Sequence, residues 1–275
     1  MIFLYEIEEY LANLRAGIRC RLGRGSKPDF MVIGAERSGS RSLFGMINQH
    51  SEIRGAISSS PYFLSDNHRP LEWYQAQFPT RGEQNFLVGD CHQSYLFYSL
   101  APRLIRNFNP HLKFIAVLRD PVERVLSQRA MEITIHGKTQ FGDLNRSIEQ
   151  EFKSLGKFPE YHFFNPAIRT RNPGNNYLLR SHYSVQIKNW LNFFPAQQFH
   201  FVDSQELKND PQTVIEGCYR FLGLSPKLIQ PLNLRPSTVP VEIDPTLRQE
   251  VCSYFKSYDS RLNELTGRSF SWQAH

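Results

Sequence analysis

The 275-residue chain has only four cysteines, Cys20, Cys91, Cys218 and Cys252, and none forms a C-x-x-C pair with another. Such wide spacing supports neither a zinc site nor a disulfide framework, so a reducing compartment, the cytoplasm, is the expectation. Long uninterrupted apolar runs are also missing. The opening stretch MIFLYEIEEYLANLRAGIRCRL interleaves Glu6, Glu8 and Glu9 with its apolar residues, and has neither the apolar centre of a signal peptide nor a membrane span. It reads as an amphipathic helix with a basic end at Arg15, Arg19, Arg21 and Arg24. This N-terminal extension, over 1–27, is expected to pack against the domain, with attachment to a membrane surface as the alternative. No internal repeat or low-complexity tract is visible, and no basic stripe interleaved with aromatics points to nucleic acid. Carboxylates at metal-ligand spacing are absent too, so no metal is expected.

What is present is a chain able to bury one substantial core, 40% of its residues being hydrophobic, and a single domain over 1–275 is expected. Short, nearly all-apolar runs occur at DFMVIGA (29–35), NFLVGD (85–90), KFIAVLRD (113–120) and QFHFVD (198–203). Helix-like stretches separate or follow them: Ser99 to Phe108, Pro121 to Ile133, Asp143 to Leu155, Arg180 to Phe194 and Pro211 to Leu222. Strands apolar on both faces, alternating with helices, predict an α/β fold in which a central parallel sheet lies between two helical layers. The segment 156–177, rich in Pro, Asn and aromatics, reads as a long loop on the acceptor side, with Phe158, Tyr161, Phe163 and Phe164 suited either to stacking on a ligand or to packing.

Ligands of such sheets gather at the carboxyl ends of the strands, and VIGAERSGSRSL (32–43) crosses one of these ends into a helix. Backbone N–H groups at a helix start favour a phosphate, which also suits the net charge of +6. Gly34 and Gly39 have the separation of a Walker A loop, yet Ser40 and Arg41 replace its Lys and Ser/Thr, which removes two parts that nucleotide hydrolysis uses. A cation stands earlier, at Arg37, with hydroxyls at Ser38, Ser40 and Ser42. The alternative is a Gly/Ser turn without a ligand. In FIAVLRDPVERVLSQRAMEI (114–133), a strand ends in Arg119-Asp120-Pro121, Pro121 suits the first helical turn, and Ser127 follows about two turns on. Arg119 offers a forked donor set to an anion, or else pairs with Asp120 or Glu123.

Together the two stretches resemble the paired signatures of sulfotransferases that use 3′-phosphoadenosine 5′-phosphosulfate (PAPS), especially the heparan sulfate branch and its bacterial relatives. The family loop K-T-G-T-T-S/A-L is similar to residues 37–43, and its L-R-N/D-P-x-E-R-x-x-S run is similar to Leu118 to Ser127. Further similarity lies in PLEWYQAQFP (70–79), GDCHQSYLFY (89–98), 190–224 and LNELTGRSFSW (262–272), so it spans residues 29–272. The resemblance implies a P-loop NTPase-like fold and transfer of a sulfuryl group to a hydroxyl or amine of a carbohydrate or small metabolite. It places Arg37, Ser38, Gly39, Ser40, Arg41 and Ser42 around the 5′ group, with Arg119 and Ser127 at the 3′-phosphate. Arg235 falls where relatives have a loop that closes over the nucleotide. Arg180 and Tyr183 match an R-x-x-Y feature near the donor or acceptor. Arg37, standing where the family has lysine, is expected to stabilise charge on the leaving phosphate.

The chain departs from the pattern at the general base, because Ser60 stands where relatives carry glutamate. His92, just past a strand end, is the first replacement considered, Asp90 the second and His68 a third. Two other function classes share parts of the pattern. A P-loop kinase or NTPase would use FLVGD as its acidic strand, and a non-catalytic module for anionic glycans would account for the basic charge and the missing glutamate.

Overall fold

The computed structural model describes residue 11 and residues 14–56, 70–81, 85–137, 142–156, 159–164, 176–232 and 239–274. Five strands, β1 (Phe30–Gly34), β2 (Ile53–Gly55), β3 (Leu87–Cys91), β4 (Lys113–Leu118) and β5 (Phe199–Asp203), form one sheet in the order β2-β3-β1-β4-β5. Every pairing is parallel. The helices in chain order are α1 (Ser40–Ile47), α2 (Leu71–Gln75), α3 (Ala101–Phe108), α4 (Pro121–His136), α5 (Leu144–Leu155), α6 (Pro159–Phe164), α7 (Tyr183–Leu191), α8 (Ser204–Asn209), α9 (Pro211–Leu222), α10 (Pro245–Lys256) and α11 (Asp259–Thr266). A further helical stretch over 14–21 precedes β1.

The strands β1 and β4 lack polar alternation because each buries both faces, whereas β2 exposes Arg54. On β1, Phe30 and Val32 join Leu43, Met46 and Ile47 of α1 and Ile215 and Leu222 of α9 in one core. Met31 and Ile33 join Ile105 and Phe108 of α3, Ile187 and Trp190 of α7 and Leu262 of α11 in the other. The period of two along a strand thus divides the residues between two helical layers. The architecture is a three-layer α/β/α sandwich of the P-loop NTPase-like type. A third apolar cluster joins Val122 and Val125 of α4 to Ile148 of α5 and Val251 and Phe255 of α10.

Several boundaries differ from the sequence expectation for local reasons. The helix expected over Arg180 to Phe194 is interrupted. A 3₁₀ turn at Leu179–Ser181 ends at His182, which has a non-helical ψ of 66°, and α7 then runs from Tyr183 to Leu191. Gln186 Nε2 donates to the Leu179 and Arg180 carbonyls, each at 3.1 Å, which satisfies groups that the break leaves free. The expected loop at 156–177 contains α6, and Phe163 there is buried against the Phe97 ring. Phe163 is therefore a packing residue, whereas Tyr161 and Phe164 stay exposed. Phe158 lies outside the described residues.

Arg124, in the middle of the second motif, is fully buried. Its guanidinium donates to Ser181 Oγ at 2.6 Å, Gln128 Oε1 at 2.9 Å and the Tyr177 carbonyl at 2.5 Å, tying α4 to the segment that enters α7. Burial pushes its pKa down, but each of its three nitrogens donates one of these bonds. Replacing Arg124 with Ala removes three donors from a buried site, where the Tyr177 carbonyl keeps the Ser181 hydroxyl at 3.2 Å. Chemical denaturation should show a loss of about 3 kcal/mol or more, and Lys should rescue little of it because it lacks the fork.

Candidate active site

The carboxyl ends of β1, β4 and β5 open into one cleft of about 880 Å³. Residues 37–42 form one wall, Arg119, Glu123 and Ser127 a second, and Ser204, Leu207 and Lys208 a third. This is where a parallel sheet presents its loops, and the volume suits a nucleotide-sized ligand.

The first wall has little freedom. A side chain at Gly34 would meet the Gln93 carbonyl at 2.6 Å, so only glycine lets β1 turn there. Gly39, with φ of 99°, caps α1, and no side chain fills the cap. The N–H groups of the first turn consequently remain available to an anion. Arg37 also has a left-handed backbone, with φ of 66°, a conformation that costs a non-glycine residue about 1–2 kcal/mol. Two contacts hold it. Arg119 Nη1 donates to the Arg37 carbonyl at 3.1 Å, and Arg37 Nε donates to Ser127 Oγ at 3.2 Å.

Charge accumulates at this point. Burial lowers the Arg37 pKa most, Glu36 opposes the shift, and Arg119 and Arg41 add to it. An anion would relieve that repulsion. Ser38 Oγ is buried on the same wall, beside the Tyr183 hydroxyl. Tyr183 donates its hydroxyl to the Arg119 carbonyl at 2.9 Å. Arg180 pairs with Glu36 at 2.6 Å and lies 4.4 Å over the Phe97 ring. The R-x-x-Y pair thus braces both motifs, and neither residue lines the cleft. Arg119 does not pair with Asp120, whose carboxylate instead caps α4 by accepting from the Glu123 amide at 2.8 Å. Glu123 Oε2 lies 3.7 Å from Arg119 Nη2, and its other oxygen accepts from Arg248 at 2.9 Å.

The structure therefore gathers Arg37, Ser38, Gly39, Ser40, Arg41, Ser42, Arg119 and Ser127 in one cleft. It places Asp90 and His92 differently. Asp90, at the end of β3, is buried beneath Tyr74 and Tyr95, whose hydroxyls donate to Oδ2 at 2.7 and 3.2 Å, while the Cys91 amide donates to Oδ1 at 2.8 Å. Its burial outweighs these bonds and raises its pKa to about 6. His92 is half-buried outside the cleft lining, and its Nδ1 accepts from the Ser94 amide at 3.3 Å. Burial, then Arg41, lowers its pKa to about 4 against the pull of Glu36. Arg235, Ser60 and His68 lie outside the described residues.

Residues 27–244 match the family model described as a sulfotransferase domain. The chain belongs to the sulfotransferase family. This sulfotransferase is 23% identical over 270 residues to heparan sulfate glucosamine 3-O-sulfotransferase 5 of Mus musculus, covering 89% of the chain and 74% of that protein. It is 27% identical over 221 residues to bifunctional heparan sulfate N-deacetylase/N-sulfotransferase 2 of Homo sapiens, covering 76% of the chain but 23% of that longer protein. A crystal structure of a sulfotransferase from Alicyclobacillus acidocaldarius has the same fold, with a TM-score of 0.71 at 23% identity over 91% of this chain and all of that one.

Sequence reasoning did not single out Lys208, Ser204 or the Glu36–Arg180 pair. Ser204 and Lys208 follow directly on β5, so the strand-end rule applied to QFHFVDSQELK would have found them. Glu36 and Arg180 are 144 residues apart, and no local pattern joins them.

Asp90 supplies a test of burial. Its native pKa is raised, so its neutral form stabilises the fold fully below the ordinary value of 3.8, and that contribution is lost as pH rises through about 6. Unfolding curves from pH 4 to pH 7 should show Asp90→Asn gaining about 3 kcal/mol relative to the parent across this window. Parallel curves for the two proteins would mean that Asp90 does not ionise there.

Proposed function

We propose that the enzyme transfers the sulfuryl group of PAPS to a hydroxyl or amine of a carbohydrate acceptor. The observation that carries this reading is the meeting of Arg37, Arg119 and Ser127 at 3.1–3.2 Å in one cleft, at the ends of two adjacent strands. The donor has two separate anionic groups, and the cleft has two adjoining sets of donors. Ser38, Gly39, Ser40 and Ser42, with the first turn of α1, suit the 5′ group, while Arg119 and Ser127 suit the 3′-phosphate. The sulfotransferase family generally uses PAPS. The carbohydrate acceptor is proposed because the two curated relatives named above carry heparan sulfate in their names.

Transfer is an in-line displacement at sulfur. The acceptor oxygen or nitrogen forms the new bond, the bond from sulfur to the bridging phosphate oxygen breaks, and negative charge grows on that phosphate. Arg37, fixed by its backbone and by Ser127, supplies a cation that needs little reorganisation as charge develops. Proton removal from the acceptor is assigned to His92. Its ring is neutral at pH 7, its pKa being depressed first by burial and then by Arg41. An anionic donor beside Arg41 cancels the smaller of these effects and makes the ring more basic, while the effect of burial stays. In the tautomer selected by Ser94, Nε2 carries the proton, so taking a second proton requires Nδ1 to release the Ser94 amide. Asp90, beneath two tyrosines, holds the strand end that carries His92.

Calorimetry with adenosine 3′,5′-bisphosphate, using adenosine 5′-phosphate and ATP with magnesium as controls, tests the donor assignment. Arg119→Ala should weaken binding of the bisphosphate by about 1.5–3 kcal/mol while affecting the monophosphate less. Equal affinity of parent and variant would remove Arg119 from the site. His92→Gln should bind the bisphosphate normally and turn over ~10²–10⁴-fold more slowly with PAPS and an accepting glycan. Unchanged turnover would assign the proton to another group.

A further inference from the structure

Among the described residues, the helical stretch over 14–21 is attached to the domain along one side. Ala16 is buried there, Arg19 Nε donates to the Ala76 carbonyl at 2.8 Å, and Arg19 Nη2 donates to the Phe78 carbonyl at 2.5 Å. Just after it, Ser26 Oγ donates to the Pro79 carbonyl at 2.7 Å. The opposite side is apolar and, among the described residues, exposed. Leu11, Leu14, Ile18 and Leu22 follow one another at intervals of three or four residues, the spacing of a single helical stripe, and are 42%, 51%, 52% and 60% exposed. They account for four of the large hydrophobic side chains that the described surface leaves exposed.

The charge around the stripe identifies what covers it. Residues 11–27 contain Arg15, Arg19, Arg21, Arg24 and Lys27 and neither Asp nor Glu. Arg19 and Lys27 are spent on the domain, Lys27 Nζ donating to the Phe108 carbonyl at 3.3 Å, whereas Arg15, Arg21 and Arg24 are exposed. On a helical projection, Arg15 and Arg21 fall on either side of the stripe, where long side chains can keep their charge among polar groups while the leucines go deeper. A second copy of the same helix would bring like charges together along both flanks, which disfavours self-pairing. An anionic lipid surface meets both features at once: it takes up the apolar stripe and neutralises the arginines.

We infer that the N-terminal helix is a peripheral docking element that lies flat on anionic phospholipid, with Leu11, Leu14, Ile18 and Leu22 inserted and Arg15, Arg21 and Arg24 at the headgroups. The side that carries Ala16 and Arg19 stays joined to the domain, so docking fixes the enzyme against the surface through the segment 76–80. The inference does not depend on the donor or the acceptor.

Flotation of the full chain with phosphatidylcholine vesicles, with and without about one-third phosphatidylglycerol, tests it. The parent should float with the anionic vesicles alone and be released by high salt. Ile18→Ser with Leu22→Ser should keep the parent's thermal midpoint, because both positions are exposed, and should lose at least about tenfold in vesicle binding. Arg21→Glu with Arg24→Glu should abolish the preference for anionic vesicles. Absence of the parent from the anionic vesicles would overturn the inference. So would light scattering that shows a dimer which the Ile18→Ser, Leu22→Ser variant converts to a monomer, because a second copy would then cover the stripe.

Discussion

The position of β1 at the centre of the sheet constrains everything around the cleft. It is paired on one side with β3 and on the other with β4, and its two faces are buried in separate cores. Its carboxyl end therefore cannot shift, and the chain must turn within a few residues to reach α1. Gly34 permits the turn and Gly39 ends it, which leaves Arg37 in a backbone conformation that its neighbours impose. A charged side chain fixed by its own backbone is a rigid device in a region where loops are usually adaptable. The adjacent strand β4 delivers Arg119 to the same point, and β5 delivers Ser204 and Lys208 from the next position.

The parts of this arrangement that sequence made legible are those governed by near neighbours along the chain. Four of the five strands are nearly all apolar, and the starts of α4 and α9 carry an Asp cap followed by proline, so both kinds of element declare themselves locally. The three residues of β2 are too few to show a period. The break before α7 depends on Gln186 and on Arg124, a residue from another element. Arg124 itself reads locally as an ordinary helix-surface arginine, and only the packing of α4 against the segment at Tyr177 makes it a buried hub. Phe163 likewise looked as suited to a ligand as to a core until its position beside Phe97 was known.

For the site, the donor-side motifs carried their own spacing, and the structure brings their residues into one cleft. The region around β3 was harder to read because its chemistry is set by burial. A histidine and an aspartate two residues apart differ completely in their surroundings: Asp90 accepts from two tyrosine hydroxyls in the interior, while His92 feels Arg41 and Glu36 from the donor loop. Sequence reveals which groups can titrate, but the surrounding packing sets the direction in which each one moves.

The bond between Arg37 and Ser127 couples the two motifs. These residues belong to motifs matched to opposite ends of the proposed donor, yet without it they satisfy one another at 3.2 Å. Nε of Arg37 is the atom that holds the serine, which leaves Nη1 and Nη2 to an anion, so the two motifs set the orientation of one cation together. A change at Ser127 would therefore reach both ends of the proposed donor, turning Arg37 as well as removing a hydroxyl.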